Sequence, residues 1–321
     1  MPAQGHDAAP AGGRLTAMAT DADFAKLILR RSVHFVPGGN ERMFEKSLGL
    51  AADALILDLE DAVTPEGKAA SRDAVCDWLR QADFGGRQKL VRINPLDSPW
   101  GEADIAAVIA GSPDGLVVPK VTRASDVESV DGLVAEQERR TGLASGSVKL
   151  LLIGTETPGS AFHLPEMAAH PRVDGLTWGS EDLSAELGAS AIRDASGAYL
   201  EVFSLVRSLA LLAAAAAGKQ PIDTIYADVR DLKGFREECR RAAAMGFTGK
   251  LTIHPDQIEI VNEMFTPSPA EVAEAEELLA AAGEYRRQGR IAFRFKGQMV
   301  DVPHLKRARR ILARAGRQME D

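Results

Sequence analysis

A closed barrel of eight parallel β-strands, each followed by helical sequence, is the fold class this chain predicts, and three features predict it. Eight short, mostly apolar runs recur along the sequence, longer helical patterns alternate with them, and no GxGxxG turn follows any run. Nearly continuous apolar runs mark strands buried on both faces, as in a parallel sheet. Eight βα units in roughly 230 residues is what a (β/α)8 TIM barrel needs, whereas an open doubly wound sheet closes its count earlier.

Taken in order, the first run (33–36) opens onto Pro37-Gly38-Gly39-Asn40, with Arg42 and Lys46 four residues apart on one face of the helix that follows. The second (54–59) ends in Glu60-Asp61, the third (90–93) contains Arg92 and precedes Asn94, and the fourth (115–118) leads to Pro119-Lys120. The fifth and sixth (149–154 and 175–178) lead to Glu156 and to Ser180-Glu181-Asp182; the seventh (222–227) ends at Asp228 and the eighth (250–253) at His254-Pro255. Beyond them, a Ser268-Pro269 start and a filling of Glu, Ala and Leu predict a helix over 269–287. The segment IAFRFKGQMVDVP and a basic closing helix from His304 then form a C-terminal arm or lid. The expected division is a disordered, Ala/Gly/Pro-rich tail over 1–25, a catalytic barrel over 26–268, and the helix with its lid arm over 269–321.

With 321 residues, 45% of them hydrophobic and 26% charged, the chain can build one large α/β domain or two small ones, with a sizeable core. A formal net charge of −8 gives no global basic field, so no nucleic-acid partner is expected and an anionic ligand must be held by local charges. A small-molecule partner follows. Cys76 and Cys239 have neither CxxC nor Cys/His spacing and read as buried, inert thiols. The longest apolar stretch, 209–217, is far short of a membrane span, and the tail lacks the basic start and apolar core of a secretory signal. The expected location is cytoplasmic.

In such a barrel the chemistry sits where strands end, which puts these polar residues on one rim. Buried carboxylates are costly unless paired or on a metal, so their concentration points to a cation site, with structural salt bridges as the competing reading. Glu156 and Asp182 close adjacent strands, and two carboxylates with open positions suit Mg²⁺, which keeps waters and takes further oxygens from substrate. Arg92, inside the run VRIN, needs either a substrate carboxylate or a permanent partner in Glu60 or Asp61, and the two are compatible. Arg42 and Lys46 could receive phosphates, against the alternative of a solvated face. His34, His163 and His254 lack the spacing of a helical metal pair, and no GxSxG elbow or Cys/His dyad supplies a nucleophile. His254-Pro255 reads as a loop-shaping element rather than a base.

The segments RSVHFVPGGNERMFEKS, ALILDLEDAV, VRINPLDSPWG, LLIGTETPGSAFHLPEMA, GLTWGSEDLSAELGA, ADVRDLKGF, GFTGKLTIHPDQI and GQMVDVPHLKRAR together resemble the citrate lyase β-subunit-like family of the HpcH/HpaI aldolase group. The resemblance implies a TIM barrel that cleaves or forms malyl-, methylmalyl- or citramalyl-CoA, or citryl thioesters, with Mg²⁺ and with Mn²⁺ as the alternative metal. It implies Glu156 and Asp182 as metal ligands, Glu156 lying also against substrate, and Arg92 as the clamp on the substrate carboxylate. Glu60 and Asp61 would hold metal-bound water and orient Arg92. Phe35, Arg42 and Lys46 match positions that contact the coenzyme A moiety. The VDxP motif maps to Asp301, which in relatives reaches a neighbouring subunit's site as the acid/base. His34 departs from the apolar residue usual there, which puts packing near the first strand in question.

The expected reaction is a retro-aldol (Claisen-type) cleavage of a β-hydroxyacyl-CoA to acetyl-CoA, or a close relative, and an α-oxo acid. A malyl-CoA thioesterase shares every one of these residues. A citrate lyase β subunit taking an acyl-carrier-protein thioester inside a complex is the third reading. Ile291, Phe293, Phe295 and Met299 are too few to form a core, so the arm must dock; the resemblance makes that a homotrimer or homohexamer with Asp301 acting in trans.

Overall fold

The structure, a computed structural model, describes residues 30–288 and 292–317. The tail expected over 1–25 and Ile291 therefore lie outside the described residues. Eight parallel strands close into a barrel in sequence order. They are β1 (Ser32–Pro37), β2 (Ala54–Asp58), β3 (Gln88–Arg92), β4 (Gly115–Val118), β5 (Lys149–Ile153), β6 (Val173–Thr177), β7 (Gln220–Asp223) and β8 (Gly249–Thr252). Between them run α1 (Glu41–Ser47), α2 (Lys68–Gln81), α3 (Gly101–Val108), α4 (Ala124–Thr141), α5 (Leu164–Ala168), α6 (Ser180–Leu187), α7 (Glu201–Ala216) and α8 (Leu232–Met245). The barrel is followed by α9 (Asp256–Phe265) and α10 (Pro269–Arg287).

Seven of the apolar runs fall within two residues of a strand at either end; the seventh run does not. β7 begins at Gln220 and stops at Asp223, where the apolar pattern predicts 222–227. Its opening pair is polar or ring-locked for local reasons. Gln220 is fully buried because its amide accepts from Arg30 Nε at 3.1 Å and donates to Arg30 O at 3.0 Å. Residues 224–227 then leave the ladder toward the rim.

Alternate strand residues divide into two packed layers, as the period of two requires. Val33, Ala54, Ile56, Leu90, Val117, Leu151, Ile153, Ile222 and Leu251 fill the barrel, while a larger set beginning with Val36, Leu55, Leu57 and Val91 packs under the helices. The register extends the inner face upward from Ile56 to Asp58, which lies beside Arg92 on β3, itself beside Val117. Asp58 and Arg92 thus stand side by side on the inner wall at its upper edge.

The barrel closes between its first and last strands through Ser32↔Lys250, Val33↔Leu251 and His34↔Thr252. His34 is satisfied there: its Nδ1 lies 3.0 Å from Thr252 Oγ1. Burial pushes its pKa down to about 4, against the opposing effect of the Thr252 backbone, so the ring packs as a neutral group.

Between β7, β8 and their covering helices lies a charged cluster that the apolar pattern conceals. Asp223 and Lys250 are both fully buried and 3.0 Å apart; Lys250 also meets Glu238 at 2.8 Å. Arg207 grips both oxygens of Asp223 at 3.0 and 2.8 Å, and Trp178 Nε1 donates to it at 2.8 Å. Cys76 and Cys239 are free and buried, and burial pushes the Cys239 thiol up to about 12.

The arm forms a hairpin, β9 (Phe293–Phe295) with antiparallel β10 (Gln298–Val300), and then α11 (Val302–Arg314). It docks on its own chain. Ala308 and Leu312 of α11 pack with Ala275 of α10, and Phe293 stacks on Tyr285 with centroids 4.5 Å apart. Arg314 Nη2 donates to Phe265 O at 2.7 Å. Among the described residues, no helix is long and apolar enough to cross a membrane.

Candidate active site

The strand ends bring five acids and two bases to one rim. Arg92, the last residue of β3, turns one whole edge of its guanidinium to Asp58, with Nε and Nη2 each 2.7 Å from a carboxylate oxygen. Its Nη1 faces Glu60 at 3.1 Å and Asp61 at 3.2 Å, and its carbon lies 4.8 Å from the centre of the Phe35 ring. Burial works against the charge, but these three carboxylates outweigh it and hold the pKa above the ordinary arginine value. The permanent partner of Arg92 is therefore chiefly Asp58, where the sequence pointed to Glu60 or Asp61.

The turn carrying Glu60 and Asp61 is stapled from below. Lys68 Nζ donates to the carbonyls of Leu59 at 2.8 Å and Glu60 at 2.7 Å, and Asn94 Nδ2 donates to Leu59 O at 2.9 Å. Asn94 is in turn held by the fully buried Asp104, which accepts from its side chain at 2.6 Å. Gly38 makes room for the chain here: a Cβ on it would sit 2.6 Å from Asp58 O.

Glu156, in the loop after β5, is 3% exposed and accepts from the backbone N–H of Lys120 at 2.6 Å. Burial, reinforced by the neighbouring charge of Glu60, pushes its pKa up to about 8. Gly179 makes this position possible, because a Cβ there would lie 2.7 Å from Glu156 Cγ. Asp182 stands in the first turn of α6, with its side chain 35% exposed. Lys120 reaches between them: its ammonium lies 2.8 Å from Glu60 Oε1 and 3.7 Å from Asp182 Oδ1.

Phe35 is therefore placed against Arg92, and Glu60, Asp61, Glu156 and Asp182 share one rim with it. Arg42 and Lys46 lie exposed on α1, whose N-terminus is capped by Asn40 accepting from Met43 N at 3.0 Å. Asp301 is the N-cap residue of α11, half exposed, with Oδ1 2.6 Å from His304 Nδ1. Among the described residues no hydrogen bond or ion pair links it to Arg92, Glu156 or Asp182 of its own chain. His254 holds the loop after β8, accepting from Asp256 N at 3.3 Å, as expected of a loop-shaping residue.

Residues 31–255 match the HpcH/HpaI aldolase/citrate lyase family. The chain belongs to that family. Residues 196–317 match, in addition, the C-C bond lyase of the TIM-barrel fold. Among its relatives is a (3S)-malyl-CoA thioesterase of Cereibacter sphaeroides (strain KD131), 40% identical over 89% of this chain and 94% of the relative. An L-malyl-CoA/beta-methylmalyl-CoA lyase of Cereibacter sphaeroides (strain ATCC 17029) is 33% identical over 88% of this chain and 93% of its own. The CitE protein of Mycobacterium tuberculosis, solved with magnesium, acetoacetate and coenzyme A, superposes with a TM-score of 0.73 at 37% identity, covering 90% of this chain and 99% of that one.

Within this HpcH/HpaI-family barrel, the rim suits a hard divalent cation. Glu60 Oε2 is buried beside Arg92 Nη1 at 3.1 Å but makes no hydrogen bond among the described residues, and Glu156 is buried and accepts from a backbone N–H on one oxygen. Among the described residues no three Asp, Glu, His or Cys side chains make a cage of their own. Two carboxylates plus waters and ligand oxygens fit magnesium's octahedral demand better than a protein-only cage would. Asp58, Lys68, Asp104 and Lys120 are the site-building residues that sequence reading missed as such. Asp58 lies inside an apolar run instead of following it, and Lys68 and Asp104 lie in helices; Lys120 alone was visible, as a lysine at a strand end.

Proposed function

We propose that this chain is a magnesium-dependent carbon–carbon lyase acting on a β-hydroxyacyl thioester of coenzyme A of the malyl-, methylmalyl- or citramalyl-CoA type. Glu156 carries the reading. Its carboxyl is buried at the rim and held well above the usual range by that burial, so its ionised form needs a cation beside it. The lyase among the relatives, and the CitE structure with magnesium and coenzyme A, support the same chemistry.

Glu156 and Asp182 would hold the metal, which when bound supplies Lewis-acid polarisation of the oxygen that passes between hydroxyl and keto forms. Arg92 offers the substrate carboxylate its Nη1, the other edge being committed to Asp58. Glu60 and Asp61 orient Arg92 and would hold water at the metal. Phe35, and Arg42 and Lys46 on the exposed face of α1, would receive the coenzyme A moiety. In cleavage the hydroxyl gives its proton to a basic oxygen at the rim, the carbon–carbon bond breaks, and its electron pair passes to the α-carbon of the thioester as an enolate. Asp301 then protonates that carbon, giving acetyl-CoA or a relative beside an α-oxo acid. Asp301, which pairs with His304 and with none of the rim residues, would act on a neighbouring copy in a homotrimer or homohexamer. Residues 26–268 would be the catalytic body and 269–321 the helix and lid, in a cytoplasmic enzyme.

A thioesterase is the second reading, favoured by the higher identity to the malyl-CoA thioesterase. One incubation separates them. The purified chain with Mg²⁺ is given malyl-, β-methylmalyl-, citramalyl- and citryl-CoA, and products are identified by mass spectrometry. Glyoxylate, pyruvate or oxaloacetate with a shortened acyl-CoA supports the lyase; free CoA with an intact hydroxy acid replaces it with the thioesterase. Glu156→Gln and Asp182→Asn should abolish Mg²⁺ binding and turnover while leaving the circular dichroism unchanged, because both lie on the rim and outside the packed layers. Near-normal metal affinity in either variant would remove that residue from the metal site.

A further inference from the structure

Lys120 touches three of the rim acids by two different means, and its backbone is unusual. Its φ of +54° places it in the left-handed region, which strains a non-glycine residue and persists where surrounding contacts enforce it. That turn aims its N–H at Glu156 Oε2, 2.6 Å away. Its side chain runs back to Glu60 Oε1 at 2.8 Å and stays 3.7 Å from Asp182 Oδ1. Glu60 is thereby held from two sides, by this ammonium and by Arg92 Nη1 at 3.1 Å.

Five acids at one rim pose a sorting problem. A small divalent cation attracts any carboxylate that can reach it, and each extra ligand displaces a water or a substrate oxygen. We propose that Lys120 is a positioning residue that sorts these carboxylates, its backbone N–H turning Glu156 toward the cation site while its ammonium keeps Glu60 off it. Open coordination positions for substrate are the result. Resting on the metal reading above, the proposal assigns that site a selectivity determinant. A salt bridge that merely braced the rim would loosen the metal when broken; a sorting lysine, once removed, releases a third carboxylate onto it.

Two opposite outcomes therefore follow, and both are read without turnover. Metal-free full-length protein is titrated calorimetrically with Mg²⁺, and the waters remaining on bound Mn²⁺ are counted by water-proton relaxation. If wild type binds neither ion, or Glu156→Gln binds as tightly as wild type, the metal reading itself fails and the proposal with it. If wild type binds and Glu156→Gln does not, Lys120→Met decides the matter. It should bind Mg²⁺ tighter by about fivefold or more, since one positive charge has left and one negative charge has been freed nearby, and its bound Mn²⁺ should carry one water fewer. Weaker or unchanged affinity, or an unchanged water count, overturns the proposal. Lys120→Gly accepts the left-handed backbone without strain, keeps the N–H toward Glu156, and should behave as Lys120→Met does, which preserves the test if the methionine variant does not fold.

Discussion

Arg92 shows how much of a rim residue's role depends on what already occupies it. The run VRIN exposes the problem of a buried guanidinium, yet nothing in residue order tells which acid takes its fork. Asp58 does, because the β2–β3 register sets it beside Arg92 on the same face of the wall. Arg92→Lys should lower kcat/KM on the order of a hundredfold, since a point ammonium cannot bond Asp58 through one edge and present a third nitrogen to substrate. Unchanged steady-state kinetics would take Arg92 out of the site. His34 offers a separate check on packing. Its pKa falls from 6.5 to about 4 on folding, so between those values the unfolded chain binds a proton that the folded chain refuses. Stability is fully present above the ordinary histidine value and is lost as pH falls toward 4, by on the order of 3 kcal/mol at the acid end. Urea unfolding from pH 7 to 4 should show a shallower acid decline in His34→Leu than in wild type; parallel curves would mean that the ring is protonated within the fold.

Strands were legible wherever hydrophobic continuity reported burial on both faces, which is why β4 matches its apolar run and β7 does not. β7 and β8 contain Asp223 and Lys250, charges whose burial no apolar pattern explains; it becomes possible only through Arg207 and Glu238 on the neighbouring helices and Trp178 beyond β6. Removing one partner leaves the others buried and uncompensated. Asp223→Ala should accordingly cost about 3–5 kcal/mol in denaturant unfolding, well beyond the loss of its few side-chain atoms. A change below about 1 kcal/mol would show that water enters the cluster and screens it. The arm was legible as a segment unable to form its own core, but its docking site was not. The small Ala275 and Ala308 let α10 and α11 approach closely, a fit that depends on two helix faces meeting and not on either sequence alone.

For the whole molecule, the site as proposed divides between two copies: a rim with Arg92, Glu156 and Asp182, and an arm with Asp301. Mixing equal amounts of inactive Asp301→Asn and Glu156→Gln chains should restore about a quarter of wild-type activity once subunits exchange, because that share of sites pairs an intact rim with an intact arm. Proven exchange with no recovered activity would place Asp301 in its own chain's chemistry or outside it. The closing seam of the barrel has a different consequence, one that concerns the chain while it is still being made. β1 needs β8 to cover its second edge, and the hydrogen bond across that seam joins residues 218 positions apart. At a ribosomal pace of about 5–20 residues per second, the nascent first strand waits roughly 10–40 s with one edge unpaired. An open strand edge is a template for other chains, so the yield of native protein from translation should depend on elongation speed and on chaperones that shield this edge.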